Sequence, residues 1–215
     1  MIQKNAIILH FPCLYAYWQK LIVIKSFPYK TVILLTLTVL LLFSGCSRKK
    51  SGFTNRLYHN TTSHFNWYFN ATEILRLTEE QLWANKDDDY LELLPIYVEP
   101  TEEEQKNLYP QMDDIIEKCS TVIDRHSMEI SKKEHNKWID NCYLLIGIAN
   151  YYKGQYAKTE EMTSYVAKKY KGEESRFDAA IWLARTYIKQ ERYGKANTVL
   201  SVVEDDNSKE RPKNF

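Results

Sequence analysis

The chain has 215 residues, with 29 lysines and arginines against 28 aspartates and glutamates, for a formal charge of +1. Four of the basic residues and none of the acidic ones lie in residues 1–45, so the rest of the chain carries a charge of −3. A slightly acidic body gives no electrostatic basis for nucleic-acid binding, and we expect no nucleic-acid partner. Sixteen Tyr, six Gly and six Pro favour long helices with short connections.

The first 45 residues are predicted to be a secretory signal peptide. An uncharged apolar run at residues 31–43 follows Lys25 and Lys30, which is the plan of such a signal. As a helix this run rises only about 20 Å, which is short for a hydrocarbon core of about 30 Å. A transmembrane anchor lengthened by residues 21–24 is the alternative.

The end of this segment resembles the lipobox of bacterial lipoproteins. Residues 42–46 are Leu-Phe-Ser-Gly-Cys, although Phe43 stands where Leu is usual. In that family the bond before the cysteine is cut and its thiol carries diacylglycerol. The resemblance therefore implies that Cys46 is lipidated and that residues 46–53 form a polar tether at a membrane. Residues 1–24 are long for a leader, and a start codon assigned too early explains them.

Residues 54–130 are predicted to form an N-terminal helical region. Apolar residues at helical spacing predict a long helix at 54–86, which three aspartates at 87–89 end. Residues 91–100 are predicted to be extended, because two prolines restrict the residues before them. A further helix is predicted to follow a break at Pro110.

Residues 131–206 are predicted to contain four helices in two pairs. Two of these helices are predicted to begin at an N-terminal cap made by a hydroxyl residue and an acidic residue: Ser131 with Glu134, and Ser175 with Asp178. In the preceding region, Thr101 with Glu104 is predicted to cap a helix in the same way. Gly154 is predicted to end the first of the four helices and Gly172 to follow the second, at 156–170. The fourth is predicted at about 193–203, before a truncated end at 207–215.

The two helix pairs resemble tetratricopeptide repeats. A shift of 37 residues sets Gly147 on Ala184 and Tyr156 on Tyr193, where that family has small and aromatic residues. Asn150 and a unit three residues longer than usual depart from the family pattern. The resemblance implies an all-α fold of stacked helical hairpins, an α-solenoid, preceded by the lipoprotein signal and a long helix. An ordinary set of helical hairpins is the alternative.

A second resemblance covers residues 46–206. Residues 53–59 (Phe-Thr-Asn-Arg-Leu-Tyr-His), 65–70 (Phe-Asn-Trp-Tyr-Phe-Asn) and 94–97 (Leu-Pro-Ile-Tyr) are similar to the opening of the gliding-motility and type IX secretion lipoproteins of Bacteroidetes, the SprE/PorW type. This family implies a periplasm-facing, lipid-anchored protein of the outer membrane that connects parts of a secretion machine. Its known members are longer, which agrees with a truncated chain. Only the lipidation site, Cys46, carries over from the family.

The sequence offers little that is typical of an enzyme. His59 and His64 lie five positions apart, about 140° around a helix, which is poor placement for a shared metal. Cys119 and Cys142 either pack as buried thiols or form a disulfide after export. We expect no catalytic residue, no cofactor, no metal and no small-molecule substrate.

We therefore expect a scaffold of the type IX secretion and gliding machinery that binds protein partners through helical repeats. A glycan-capturing outer-membrane lipoprotein and a lipoprotein assembly factor for outer-membrane barrels are the alternatives. Short repeat connections disfavour the first of these, because sugar-binding platforms need long insertions.

Overall fold

The computed structural model of the chain describes residues 29–42, 52–91 and 93–210. These residues are mostly helical, in agreement with the all-α class. The chain divides into two compact units, Met1–Gly45 and Cys46–Phe215. The described part of the first unit is helix α1, Tyr29–Leu42, which has no acidic residue in its first turn and no basic residue in its last. Among the described residues, no helix combines the length and apolarity needed to cross a bilayer.

The second unit is built from helices and one short hairpin. In chain order its elements are α2 (Phe53–Thr62), a π-helical segment (Ser63–Tyr68), α3 (Phe69–Ala84), α4 (Glu102–His126), β1 (Glu129–Ile130), β2 (Lys133–Glu134), α5 (Ile139–Tyr152), α6 (Tyr156–Lys169), α7 (Ser175–Lys189) and α8 (Tyr193–Glu210). The first three elements follow one another without a break, as the predicted helix at 54–86 requires. The non-helical connector at 85–101, within which the extended stretch was predicted, then leads to α4.

Helix α4 begins where the sequence predicts but is not interrupted at Pro110. The Glu104 carboxylate accepts a hydrogen bond from the Thr101 backbone N–H at 2.7 Å, and Thr101 Oγ1 accepts one from the Glu104 N–H at 3.3 Å. The helix then runs through Pro110, so the predicted break is wrong. Pro110 is exposed, and the apolar face continues on both sides of it through Leu108 and Met112. Burial of that face offsets the one backbone hydrogen bond that a proline removes.

The predicted helix start at Ser131 is also wrong. Ser131 and Lys132 have φ values of 52° and 64° and form the turn of the β1–β2 hairpin, and α5 begins only at Ile139. Positive φ at both central residues is the requirement of a tight type I′ hairpin turn. Glu134 instead organises the loop before α5, because one of its oxygens accepts hydrogen bonds within 2.9 Å from the backbone N–H groups of Met128, His135 and Asn136.

The turns that end α5 and α7 have the same hydrogen-bond geometry. Gly154, predicted as the residue after a helix end, has φ 70°, and its N–H donates to the Tyr151 carbonyl at 2.8 Å. Glu191 has φ 60°, and its N–H donates to the Ile188 carbonyl at 2.9 Å. In both turns the next residue's N–H closes a second bond to the carbonyl five positions back. These are Schellman motifs, and they lie 37 residues apart.

Each of the helices α4 to α8 packs against the next, and α5 also packs against α7. The main core lies along α4 and α5 and contains Met112, Ile115 and Cys142, which are fully buried. A smaller cluster between α7 and α8 contains Tyr187 and Ala196. The predicted cap of α7 is wrong, since Glu174 is its N-cap and the buried Ser175 hydroxyl lies 2.5 Å from an Asp140 carboxylate oxygen.

Candidate functional site

The predicted lipidation site, Cys46, lies outside the described residues, together with residues 43–51 around it. Gly52, the first described residue after it, precedes α2, and its carbonyl accepts a hydrogen bond from the Arg56 N–H at 3.0 Å. Lipidation of Cys46 stays a prediction. The contact surfaces that follow come from the second unit.

The two histidines weighed as metal ligands have separate packing roles. His59 is buried, and its Nδ1 lies 3.0 Å from Nδ1 of His126 at the end of α4. The His64 ring stacks on the Trp138 ring, with centroids 4.1 Å apart. Within the described ranges, no group of three or more His, Cys, Asp or Glu side chains is placed to hold a metal ion.

Cys119 and Cys142 meet in the core between α4 and α5. Both are free thiols with no exposed area. A hydrogen bond with Cys119, and then burial, raise the pKa of the Cys142 thiol well above its usual value. Since the thiolate is the reactive form of cysteine, this shift keeps the Cys142 thiol in its less reactive, protonated form.

One face of α5 and α7 carries aromatic rings around a single guanidinium. The Arg185 guanidinium lies 4.5 Å from the Trp182 ring centroid, 4.8 Å from that of Tyr151 and 4.5 Å from that of Tyr97. Tyr97 belongs to the connector at 85–101, so the rings come from three segments of the chain. Only 11% of the Arg185 side chain is exposed. Cations packed between aromatic faces are common anchors of protein interfaces.

A carboxylate from the connector completes this arrangement. Arg185 donates to the same oxygen of Glu99 from Nε at 2.9 Å and from Nη2 at 2.7 Å, and the Tyr151 hydroxyl donates to that oxygen at 2.8 Å. Burial, and then the hydrogen bond to Glu99, raise the pKa of Tyr151 far above its usual value. We call the Glu99, Arg185 and Tyr151 group the clamp. It ties the connector to α5 and α7, together with the buried Val98.

Beside the clamp lies an open apolar groove of about 270 Å³. The apolar side chains that line it are Tyr97, Tyr151, Ile181, Ala184, Ile188 and Leu200. Ile181, Ile188 and Leu200 are each more than 40% exposed, although they are large and apolar. The connector has further exposed apolar side chains, with Leu91 97% and Leu93 99% exposed. Exposed apolar surfaces of this kind are typical of sites that contact proteins, membranes or ligands.

A second concavity, of about 490 Å³, has the opposite character. We call it the basic cleft. Its basic lining residues are Arg56, Lys132, Lys133, Lys137, Lys169 and Lys171, and its acidic ones are Glu134, Asp140 and Glu173. Six basic residues against three acidic ones give the cleft a net positive lining.

The sequence pattern did not single out the clamp or the cleft. Arg185 lies among the apolar and aromatic residues of the third predicted helix of the 131–206 region, and a charge among such residues is a signal that sequence reasoning could use. Glu99 stands between the two prolines of the predicted extended stretch. Their pairing joins residues 86 positions apart, which helical periodicity does not reveal.

No protein-family model matches this chain, and no curated protein has a matching sequence.

Proposed function

We propose that this chain is a periplasm-facing lipoprotein scaffold of the outer membrane that belongs to the type IX secretion and gliding machinery. In this proposal Cys46 carries the lipid, and tetratricopeptide-like helical hairpins bind protein partners. The observation that carries the binding role is the exposed apolar groove beside the clamp. Its large apolar side chains face solvent on the same helix face that holds the aromatic rings.

The Schellman motifs at Gly154 and Glu191 support repeat character. They share φ values near 60–70° and the same two hydrogen bonds, and their spacing equals the shift found in the sequence. Gly147 and Ala184 take equivalent positions, and both are buried. A Cβ atom added at Gly147 would lie 3.1 Å from the Thr163 side chain, so α5 and α6 approach closely there. Stacked pairs of this geometry produce an extended binding surface.

The chemistry of the groove supports contact with a protein. The charged groups at its rim form ion pairs: Glu99 lies 2.7 Å from Arg185 and 3.7 Å from Lys189. Its floor and walls are apolar and aromatic, as in the centres of protein interfaces. Partners confined to a membrane-anchored surface reach high effective concentrations, which is how a scaffold without catalytic groups promotes assembly.

Two separate tests address the anchor and the partner. Intact-mass measurement of the membrane-extracted protein tests the anchor, and we expect a chain that begins at Cys46 and carries acyl chains. A chain of this mature length without acyl groups, or an uncleaved one, contradicts it.

Affinity capture from membranes tests the partner, with Ile188→Glu against Leu77→Glu as the matched control. Both residues are apolar and about half exposed, but Leu77 lies on α3, away from the groove. We expect secretion or gliding components to be lost with the groove variant and kept with the control. Equal capture by both variants contradicts binding through the groove. Recovery of a barrel transporter with bound oligosaccharide, or of barrel assembly factors, supports the alternative functions.

A further inference from the structure

Two histidine rings meet inside the second unit, where α2 lies against the end of α4. His59 is 3% exposed and His126 is 7% exposed, and their Nδ1 atoms lie 3.0 Å apart. An imidazole nitrogen donates a hydrogen bond when it carries a proton and accepts one when it does not. One ring therefore donates to the other, and a single proton lies between the two Nδ1 atoms. This contact cannot form when both rings are charged, because an imidazolium carries a proton on each nitrogen.

Helix α2 depends on this contact. It has ten residues, and His59 is its one buried side chain. Isolated helices of this length are marginal in water. Among the described helices and strands, α2 makes extensive contact only with the π-helical segment that follows it. Asn60 adds two hydrogen bonds to the loop before α5, because its Oδ1 accepts from the Lys137 N–H at 2.9 Å and its Nδ2 donates to the His135 carbonyl at 3.2 Å. His59 is thus the buried attachment point of a weakly held helix.

The surroundings of the pair favour one positive charge but not two. His126 is the last residue of α4, where the helix dipole favours a cation. The Glu134 carboxylate accepts hydrogen bonds from the Ser127 hydroxyl and the Met128 N–H, directly after His126, and its charge also favours a first proton. A second proton would place two positive rings in contact, with their Nδ1 atoms 3.0 Å apart and little solvent to screen them.

The other ionisable groups around the pair belong to the same three segments of the chain. Tyr58 contacts both rings, with its ring centroid 5.1 Å from that of His59 and 6.1 Å from that of His126. Besides Tyr58 and Glu134, these segments carry Arg56 of α2, His64 of the π-helical segment, Asp124 and Arg125 of α4, and His135 and Lys137 of the loop before α5. Histidine is the side chain that ordinarily changes charge between pH 5 and 8, so the pair is the buried group of this region that mild acid addresses.

We propose that the His59–His126 pair is an acid-sensitive latch, which holds α2 against the end of α4 near neutral pH and releases it when both rings become protonated. The first proton leaves the latch closed, since an imidazolium still donates to a neutral ring. The second proton binds when the rings separate, so its pKa is lower in the closed state than the value of about 6.5 for a solvated histidine. The closed state is therefore favoured above about pH 6.5 and is progressively lost as the pH falls below that value.

Hydrogen exchange of the full chain at a series of pH values tests the latch. Exchange rates at 53–62, divided by the intrinsic rates at each pH, give the opening constant of α2. We expect this constant to increase by a factor on the order of ten between pH 7.5 and pH 5, because the open state binds one more proton than the closed state. Amides of α6 and α7 report any general loss of stability, and we expect them to change far less.

Two variants form a matched pair for this experiment. Glutamine at position 126 can still donate and accept hydrogen bonds but leaves one titrating ring at the contact. In His126→Gln we therefore expect the change in the opening constant to shrink to about threefold or less. His64→Gln is the control, because it removes a nearby histidine that stacks on Trp138 and leaves the pair intact. We expect this control to keep the pH dependence of the wild-type chain.

NMR titration of the imidazole signals in the wild-type chain gives a second readout that needs no variant. We expect His59 and His126 together to take up a single proton for as long as α2 stays closed, with His64 and His135 as reference signals. This measurement decides the question if His126→Gln does not fold.

Three results would overturn the latch. The first is an opening constant of α2 that is the same at pH 7.5 and pH 5. The second is uptake of two protons by the pair while α2 remains closed. The third is an equal pH dependence in His126→Gln and His64→Gln, which would assign the acid response to another group.

Discussion

The clamp gives the sharpest quantitative prediction, because it joins a connector residue to two helices through one carboxylate oxygen. Glu99→Gln keeps the shape of the side chain and an acceptor oxygen but removes the charge that faces Arg185. The Arg185 side chain is 11% exposed and that of Glu99 is 31% exposed. The charge of Arg185 would then remain almost buried among three rings without its counter-ion.

The expected magnitude lies between two limits. Loss of one partner of a fully buried ion pair costs about 3–5 kcal/mol, whereas exposed pairs contribute about 0–1 kcal/mol. Since about a third of Glu99 is exposed, we expect Glu99→Gln to lower the free energy of unfolding by about 1.5 kcal/mol. A double-mutant cycle with Arg185→Met should give a coupling energy of about 1–2 kcal/mol between the two side chains.

Denaturant unfolding measures the global effect, and hydrogen exchange at 96–100 measures release of the connector. The control cycle is Glu73→Gln with Arg76→Met on α3, where the side chains are 40% and 50% exposed. That cycle should give a coupling energy well below that of the clamp, because solvent screens an exposed pair. A clamp coupling no larger than the control, with unchanged exchange at 96–100, would refute the claim that Glu99 fastens the connector to α5 and α7.

Two further predictions concern the turns and the response to acid. Glu191→Gly should stabilise the protein by about 0.5–1 kcal/mol, because it removes the backbone strain of a non-glycine residue at φ 60°. Gly154→Ala should destabilise it by about 1 kcal/mol or more, because φ is 70° and the new Cβ would lie 2.9 Å from a Gln105 oxygen. Thermal unfolding of both variants checks the shared turn geometry, and effects of the same sign contradict it. The hydrogen bond from Arg192 holds the pKa of Glu160 below its usual 4.5, so the stability from this pair is present above about pH 4.5 and is lost as the pH falls through the lower folded-state pKa. Arg192→Gln should therefore cost about 0.5 kcal/mol at neutral pH and nothing near pH 2, and an equal cost at both pH values contradicts the assignment.

Much of the helical framework follows from local sequence signals. The helix start at Thr101 and the helix end before Gly154 agree with the structure, because a capping box and a glycine act within a few residues. The predicted starts at Tyr156 and Tyr193 agree as well. The last helix continues to Glu210, past the predicted end near residue 203, since no glycine or proline stops it there.

The errors arise where a longer-range interaction competes with a local signal. Pro110 predicts a break, but the buried face of α4 on both sides of it keeps the helix intact. Glu134 predicts a capping box, but its carboxylate is used by the loop before α5. Ser175 predicts a cap, but its hydroxyl is drawn to Asp140 in the packed core. Each of these side chains is polar or rigid, and its role depends on what tertiary packing places beside it.

The groove and the basic cleft could not be predicted from the sequence. Helical spacing alone does not distinguish the Tyr and Trp side chains that are buried from those that are exposed. The groove depends on the exposure of Ile181 and Ile188, which the sequence does not give. The cleft depends on the proximity of residues 132–137 to residues 169–173 in the folded chain. Both surfaces require the chain to return to the same place after long separations.

Site-specific photo-crosslinking in membranes tests the central claim, that the groove beside the clamp holds proteins, most directly. A photoreactive residue at Ile188 should form crosslinks to a protein of the secretion or gliding machinery, while the same residue at Leu77 should not. Identical crosslinking at the two positions, or no protein crosslink at Ile188, would contradict the proposed scaffold function.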